Sequence, residues 1–172
     1  NYDTIRTAVA ADSKGTDDNS AVLSLSTSDP TGGAYWVSTA EGKALGLIGA
    51  SSAVDGYVGF SSTAGFDYIS DGVATPGTYD FYAVVAHEIS EVMGRMLLVG
   101  TNVLGPLHSY DPLDLFHYSA PAVHDFSGSV AGYFSVDNGA TNLHSFNTAS
   151  GGDAGDWASS ITPDAFDAFG SP

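Results

Sequence analysis

Residues 78–94 read TYDFYAVVAHEISEVMG and give the strongest helical signal in the chain. Apolar side chains recur through this stretch at helical spacing and would form one face of the helix. These side chains are Phe81, Val84, Val85, Ile89 and Val92. Thr78 or Asp80 offers an N-terminal cap, and Gly94 is a natural stop. The stretch therefore predicts a helix from Tyr79 to about Gly94.

Three residues on this helix carry the chemistry. His87 and Glu91 are four positions apart, so they project from the same face, one turn from each other. An imidazole nitrogen and a carboxylate oxygen are ligand types that zinc takes in open catalytic sites. Glu88 lies next to His87, where a glutamate can serve as the proton-transferring base of a metal-dependent hydrolase. The spacing is also compatible with an alternative in which these residues lie on an exposed helix face and bind no metal.

The composition points to cations as partners. The 172 residues include four Lys or Arg and 20 Asp or Glu, and the net charge is −16. A field of this sign repels nucleic acid and anionic membranes, so we expect neither as a partner. The chain has no cysteine, which excludes disulfides, thiol catalysis and cysteine-ligated zinc. Arg95 is the last basic residue, and we expect it to hold a carboxylate or helix-end carbonyls in a structural role.

The helix resembles the metal-binding helix of the metzincin clan of zinc metallopeptidases, especially the matrixins and serralysins, which carry the motif HExxHxxGxxH. His87 matches the first zinc ligand, Glu88 the general base and Gly94 the turn. Glu91 replaces the second histidine of the motif, and Leu97 stands at the position of the third. The resemblance implies a zinc-dependent peptidase with a two-residue version of the metal motif.

A second segment resembles the Met-turn of the same clan. Residues 115–119 read LFHYS, with Phe116 in place of the methionine and Tyr118 where some members have a tyrosine near zinc. Residues 35–39, 54–60 and 112–116 are similar to a group of secreted bacterial proteins that are classed as metalloproteases by their motif and often carry cell-surface sorting tails. This wider resemblance covers most of the chain and implies little about substrate.

Two protein ligands make a weak metal site, so we expect a further side chain to complete the shell. The candidates are Asp114, Tyr118 and His108, in that order. Each has a structural alternative: Asp114 as a turn cap, Tyr118 as a core aromatic residue and His108 as a surface histidine.

The elements along the chain predict one α+β domain spanning residues 1–172, with a twisted mixed sheet packed against helices and the helix at Tyr79 forming the floor of a cleft. By analogy with the clan, a strand before the first helix and a helix after the last are expected, so the chain is expected to be trimmed at both ends. The other predicted elements are helices at 2–11, 39–45 and 163–169, strands at 34–37 and 54–60, a helix or buried strand at 96–99, a hairpin from 133 to 146, and irregular chain at 12–20 and 100–114.

We expect a secreted zinc metallopeptidase that acts on protein or peptide substrates and does not insert in membranes. The alternative is a non-catalytic surface or matrix protein that inherited the fold and binds calcium or another metal. A metal-dependent glycan-active enzyme is a third hypothesis. Aspartates in the glycine-rich loops could brace these loops with structural calcium or serve in turns. These residues are Asp67, Asp71, Asp80, Asp137, Asn138, Asp153 and Asp156.

Overall fold

The computed structural model describes residues 1–105, 108–159 and 164–170 and has a mixed α+β architecture. Its helices are α1 (Tyr2–Asp12), α2 (Thr16–Ser24), α3 (Thr39–Ala44) and α4 (Phe81–Val92), with a 3-10 helix at Pro112–Phe116. Its strands are β1 (Ala34–Tyr35), β2 (Phe66–Asp67), β3 (Tyr79–Asp80), β4 (Ser109–Tyr110), β5 (His117–Ala120), β6 (Val123–His124), β7 (Tyr133–Phe134) and β8 (His144–Ser145). The predicted α+β class is confirmed.

The strands form three small sheets within the described ranges, where one mixed sheet was predicted. β1 pairs with β4 and β2 pairs with β3, both in parallel. The third sheet is antiparallel with the order β6-β5-β7-β8. In it, Tyr133 lies opposite Ser145 and Phe134 opposite His144, so the predicted hairpin is confirmed.

The main apolar cluster lies between the N-terminal helix and the 3-10 helix. Tyr2, Ile5, Leu25 and Leu115 are almost fully buried in it. Asn1 caps α1 by accepting a hydrogen bond from the Thr4 N–H at 3.0 Å. The helical spacing of Tyr2 and Ile5 therefore buries one face of α1, as the sequence predicts.

The helix α4 forms as predicted and begins at its predicted cap. The Asp80 carboxylate accepts hydrogen bonds from Tyr82 N at 2.8 Å and Ala83 N at 3.1 Å. Gly94 follows the helix with φ +110°, a conformation that favours glycine. None of the helix residues is buried, and Ile89 on its apolar face is 49% exposed.

An aromatic group packs around the first turn of α4. The Phe81 ring lies 5.2 Å from Phe60, 5.3 Å from Phe66 and 4.9 Å from Tyr68, measured between ring centroids. These contacts connect the helix to β2 and to the chain before it. They position the N-terminal end of α4 beside the loop that follows β2.

Several element predictions are wrong. Residues 54–60 form no strand, because Gly56 packs against Val92 in irregular chain and Tyr57 is 91% exposed. Residues 16–24, predicted in part as turn, form α2. The Asp18 carboxylate in its first turn accepts a hydrogen bond from Gly15 N, the residue before the helix. Residues 96–99 form neither helix nor strand, and the loop at 100–114 contains β4 and the start of the 3-10 helix.

The last predicted helix, at 163–169, is also wrong over residues 164–169, which form no helix. Residues 164–170 contain a turn and a β-bridge between Asp167 and Trp157, and Asp164 accepts a hydrogen bond from Phe166 N at 2.8 Å. Pro163 lies outside the described residues. Across the described part of the chain, no helix combines the length and the apolar character that crossing a bilayer requires.

Candidate metal centre

Three side chains from two parts of the chain converge on one point beside α4. The Nε2 atom of His87 lies 3.2 Å from Oε1 of Glu91 and 3.4 Å from Oδ1 of Asp156. All three atoms lie within 4.8 Å of one another, and among the described residues this is the one His/Cys/Asp/Glu group with such geometry. The structure therefore confirms that His87 and Glu91 face each other and adds Asp156 to them.

The second ring nitrogen of His87 fixes the orientation of the imidazole. Nδ1 lies 2.8 Å from the carbonyl oxygen of Ala165. Because a carbonyl oxygen only accepts hydrogen bonds, Nδ1 is the donor and carries a proton. The other ring nitrogen, Nε2, is the one that faces the two carboxylates. Histidine ligands of metals are commonly held in this way, with the other ring N–H donated to a carbonyl.

The distances between the three atoms suit a metal ion. Ligand atoms at 2.0–2.2 Å from a tetrahedral zinc ion lie roughly 3.3–3.6 Å apart. The separations of 3.2 Å and 3.4 Å from Nε2 lie close to this range. The donor set of one imidazole and two carboxylates therefore fits a divalent ion such as zinc.

Burial differs across the group. The Asp156 side chain is only 4% exposed, whereas that of Glu91 is 27% exposed. Burial raises the pKa of Glu91, and the neighbouring charges of His87 and Arg95 oppose this effect. Buried carboxylates persist in proteins when they are paired or when they coordinate a metal.

Arg95 contacts both carboxylates. Its Nη1 atom donates to Oδ1 of Asp156 and to the carbonyl of Gly155, and its Nη2 atom lies 3.5 Å from Oε1 of Glu91. The predicted role of Arg95 in holding a carboxylate is therefore confirmed.

A cleft of about 670 Å³ opens beside the centre. His87 and Glu88 line one part of it, together with Ala83 and Val84 from the same helix. Phe66, Tyr79 and Ala168 contribute further apolar wall. The cleft therefore places an apolar surface next to the Glu88 carboxylate and the His87 imidazole.

The other predicted ligands lie elsewhere in the fold. The fully buried Asp114 carboxylate accepts hydrogen bonds from Leu98 N and Asp111 N, both at 2.9 Å, which is the turn-capping role that the sequence left open. Tyr118 is buried on β5, where its ring packs against His124 at an angle of 35°, with 4.0 Å between centroids. His108 is exposed, and its carbonyl accepts a hydrogen bond from Ala34 N. The structure does not bring Asp114 or His108 into the group around His87.

Asp156 is the residue that the ligand prediction lacked. The sequence placed it among aspartates that could bind calcium or form turns, with nothing to connect it to α4. Its backbone carbonyl accepts a hydrogen bond from Asn147 N, next to β8, and this contact holds the loop in place. The one available signal was the long stretch without basic residues after Arg95, which leaves Asp156 without a basic partner in its own half of the chain.

The other loop aspartates make local hydrogen bonds. Asp67 accepts from Ile69 N and Thr75 N, and Asp71 accepts from Val73 N. Asp137 accepts from the hydroxyl and the N–H of Thr141. These contacts are typical of turns built on an aspartate, which was one of the two roles predicted for these residues.

No protein-family model, no curated protein and no solved structure matches this chain. The likeness to metzincins therefore remains a resemblance of the motif segments described above.

Proposed function

We propose that this chain is a metal-dependent hydrolase that binds zinc through His87, Glu91 and Asp156 and cleaves peptide bonds. The observation that carries the proposal is the convergence of Nε2, Oε1 and Oδ1 on one point while Nδ1 of His87 is held by Ala165. This arrangement combines three ligand atoms with the hydrogen bond that selects the ligating ring nitrogen.

A zinc ion in this site would supply Lewis acidity and make a bound water molecule more acidic. Glu88 lines the cleft next to His87 and supplies the carboxylate that accepts a proton from the attacking water. The same carboxyl group can return the proton to the leaving amine. The apolar cleft wall would bind side chains of the substrate and exclude bulk water from the scissile bond.

The peptide bond as substrate is supported by the resemblance of residues 79–94 to the metzincin helix and by the open cleft beside Glu88. The peptidase proposal includes zinc as the metal, because a histidine nitrogen and carboxylate oxygens are each ligand types that zinc takes in proteins.

The test compares the wild-type chain with Glu88→Gln on a peptide library, with and without zinc. We expect cleavage by the wild type with zinc and a loss of about 100-fold or more in Glu88→Gln, because a positioned general base contributes at least that much. Glu88→Gln should still bind zinc in a one-to-one ratio. Asp17→Asn removes one negative charge from the exposed start of α2 and serves as the matched control.

Elemental analysis of the purified protein completes the test. Stoichiometric zinc supports the enzyme, whereas calcium alone, or no metal, supports the non-catalytic alternative. Cleavage that is equal in Glu88→Gln and the wild type would overturn the assignment of Glu88.

A further inference from the structure

Arg95 is placed to do more than connect two parts of the fold. Its Nη1 atom donates to Oδ1 of Asp156, and its Nη2 atom approaches Oε1 of Glu91. These are the same two oxygen atoms that face Nε2 of His87. One guanidinium therefore contacts the ligand atom of each carboxylate in the candidate metal centre.

The guanidinium is itself fixed from other sides. Its Nε atom donates to the Ser90 hydroxyl at 2.7 Å, and its Nη1 atom also donates to the Gly155 carbonyl at 3.2 Å. Its central carbon lies 5.1 Å from the centre of the Phe166 ring. The Arg95 side chain is 10% exposed. Because these contacts hold the planar guanidinium in one orientation, Arg95 can fix the orientation of both carboxylates.

No other basic side chain of the sequence takes this place. The chain has four Lys or Arg residues, and the two lysines pair with Asp12 and Asp55. Arg6, the fourth, lies on α1. Without Arg95, the buried Asp156 carboxylate would face Glu91 with no Lys or Arg partner and would be expected to turn away from it.

We propose that Arg95 is a positioning residue for the metal centre: it orients Glu91 and Asp156 so that one oxygen of each points at the ion held by His87. This inference rests on the proposed function. A carboxylate oxygen has lone pairs for two partners, so Oδ1 of Asp156 can accept from Arg95 and still ligate an ion. The guanidinium also offsets one of the two carboxylate charges, which leaves the ion a stronger Lewis acid.

Titration of the full chain with Co²⁺, followed by visible absorption, tests this role without an activity assay. We expect Arg95→Met to bind Co²⁺ about tenfold or more weakly than the wild type. Mutation of residues that hydrogen-bond to metal ligands usually lowers metal affinity by at least this factor. Its Co²⁺ spectrum should also change, because the carboxylates no longer hold one geometry. Arg95→Lys should recover part of the affinity, and Arg6→Met, which removes the same charge elsewhere, should bind as the wild type does.

Three outcomes would overturn the inference. Arg95→Met could lower the melting temperature and leave both the Co²⁺ affinity and the spectrum unchanged, which a purely structural residue would do. It could bind Co²⁺ more tightly, which would show that the guanidinium competes with the ion. If Arg95→Met does not fold, Ser90→Ala decides: it removes the hydroxyl that accepts from Nε of Arg95 and donates to the His87 carbonyl, and we expect a several-fold loss of affinity, whereas unchanged binding would contradict the proposal.

The failure of this inference differs from the failure of the metal centre. A wild-type chain that binds no Co²⁺ or zinc refutes the centre and, with it, the role of Arg95. A wild-type chain that binds Co²⁺, with Arg95→Met binding equally well, refutes only the role of Arg95.

Discussion

The carboxyl group of Glu41 lies directly against Gly94, the residue that ends the turn after α4. A Cβ atom on Gly94 would lie 2.6 Å from Cδ and 2.7 Å from Oε2 of Glu41. Glu41 is on α3 and is only 9% exposed, so the contact joins α3 to the C-terminal end of the helix that carries His87. The Ser38 hydroxyl donates to the Val92 carbonyl at 2.7 Å and strengthens the same junction.

We predict that Gly94→Ala destabilises the protein by about 2 kcal/mol or more. The side chain would be strained at φ +110° and would also overlap a buried carboxyl group. Urea unfolding of both proteins measures the loss. Gly72→Ala is the control, because Gly72 has φ +78° with nothing near its Cβ position. Equal losses in the two variants would show that Glu41 does not restrict position 94.

A group of buried carboxyl groups makes stability depend on pH. Burial raises the pKa of Glu41 from 4.5 to about 7 and that of Asp114 from 3.8 to about 7. Burial and the nearby Glu41 raise the pKa of Asp111 from 3.8 to about 9. Oε2 of Glu41 and Oδ2 of Asp111 have no hydrogen-bond partner within the described residues.

We predict that the protein is more stable at pH 5 than at pH 8. A carboxyl group with a raised pKa in the folded state binds more protons when folded than when unfolded, so its contribution is present at low pH. That contribution is lost as the pH rises through the folded pKa, near 7 for Glu41. Thermal unfolding between pH 5 and pH 8 measures the effect. A melting temperature that rises over this interval would contradict the prediction.

Glu41→Gln should remove part of this dependence. The variant cannot ionise, so at pH 8 it avoids a cost on the order of 3 kcal/mol for the shift from 4.5 to about 7. We expect a higher melting temperature than the wild type at pH 8 and little difference at pH 5. An exposed control, Asp3→Asn on α1, should change neither value appreciably.

The helix α4 was predictable because its signals are local. Its apolar spacing, the Asp80 cap and Gly94 lie within one stretch of sequence, and the facing of His87 and Glu91 follows from the helical period alone. Asp156 was not predictable as their partner, because its position depends on how the loop after β8 packs against α4. The strand predicted at residues 54–60 was wrong because a tertiary contact overrides a local pattern. Apolar residues alternate there as in a strand, but Gly56 packs against Val92 in irregular chain.

The Asp80 cap should hold the start of the helix that carries the candidate centre. We predict that Asp80→Ala costs about 0.5–2 kcal/mol of stability, because the N–H groups of Tyr82 and Ala83 lose their acceptor. Urea unfolding measures this loss. Asp71→Ala removes a carboxylate that accepts a hydrogen bond from Val73 N in an exposed loop and should cost less. Equal losses in the two variants would argue against a special role of the cap.

Asp156 should decide whether the centre binds a metal, since it is the candidate ligand that the fold adds to the helix motif. We predict that zinc raises the melting temperature of the wild-type chain, because a ligand at 100 times its dissociation constant stabilises the folded state by about 2.7 kcal/mol. In Asp156→Asn the zinc-dependent shift should be largely lost. Asp153→Asn changes an exposed aspartate of the same loop and should keep the wild-type shift. A wild type without a zinc-dependent shift would refute the centre as a whole, whereas a shift that survives in Asp156→Asn would remove Asp156 from the ligand set. The helix motif alone would then have to account for any metal that the protein binds.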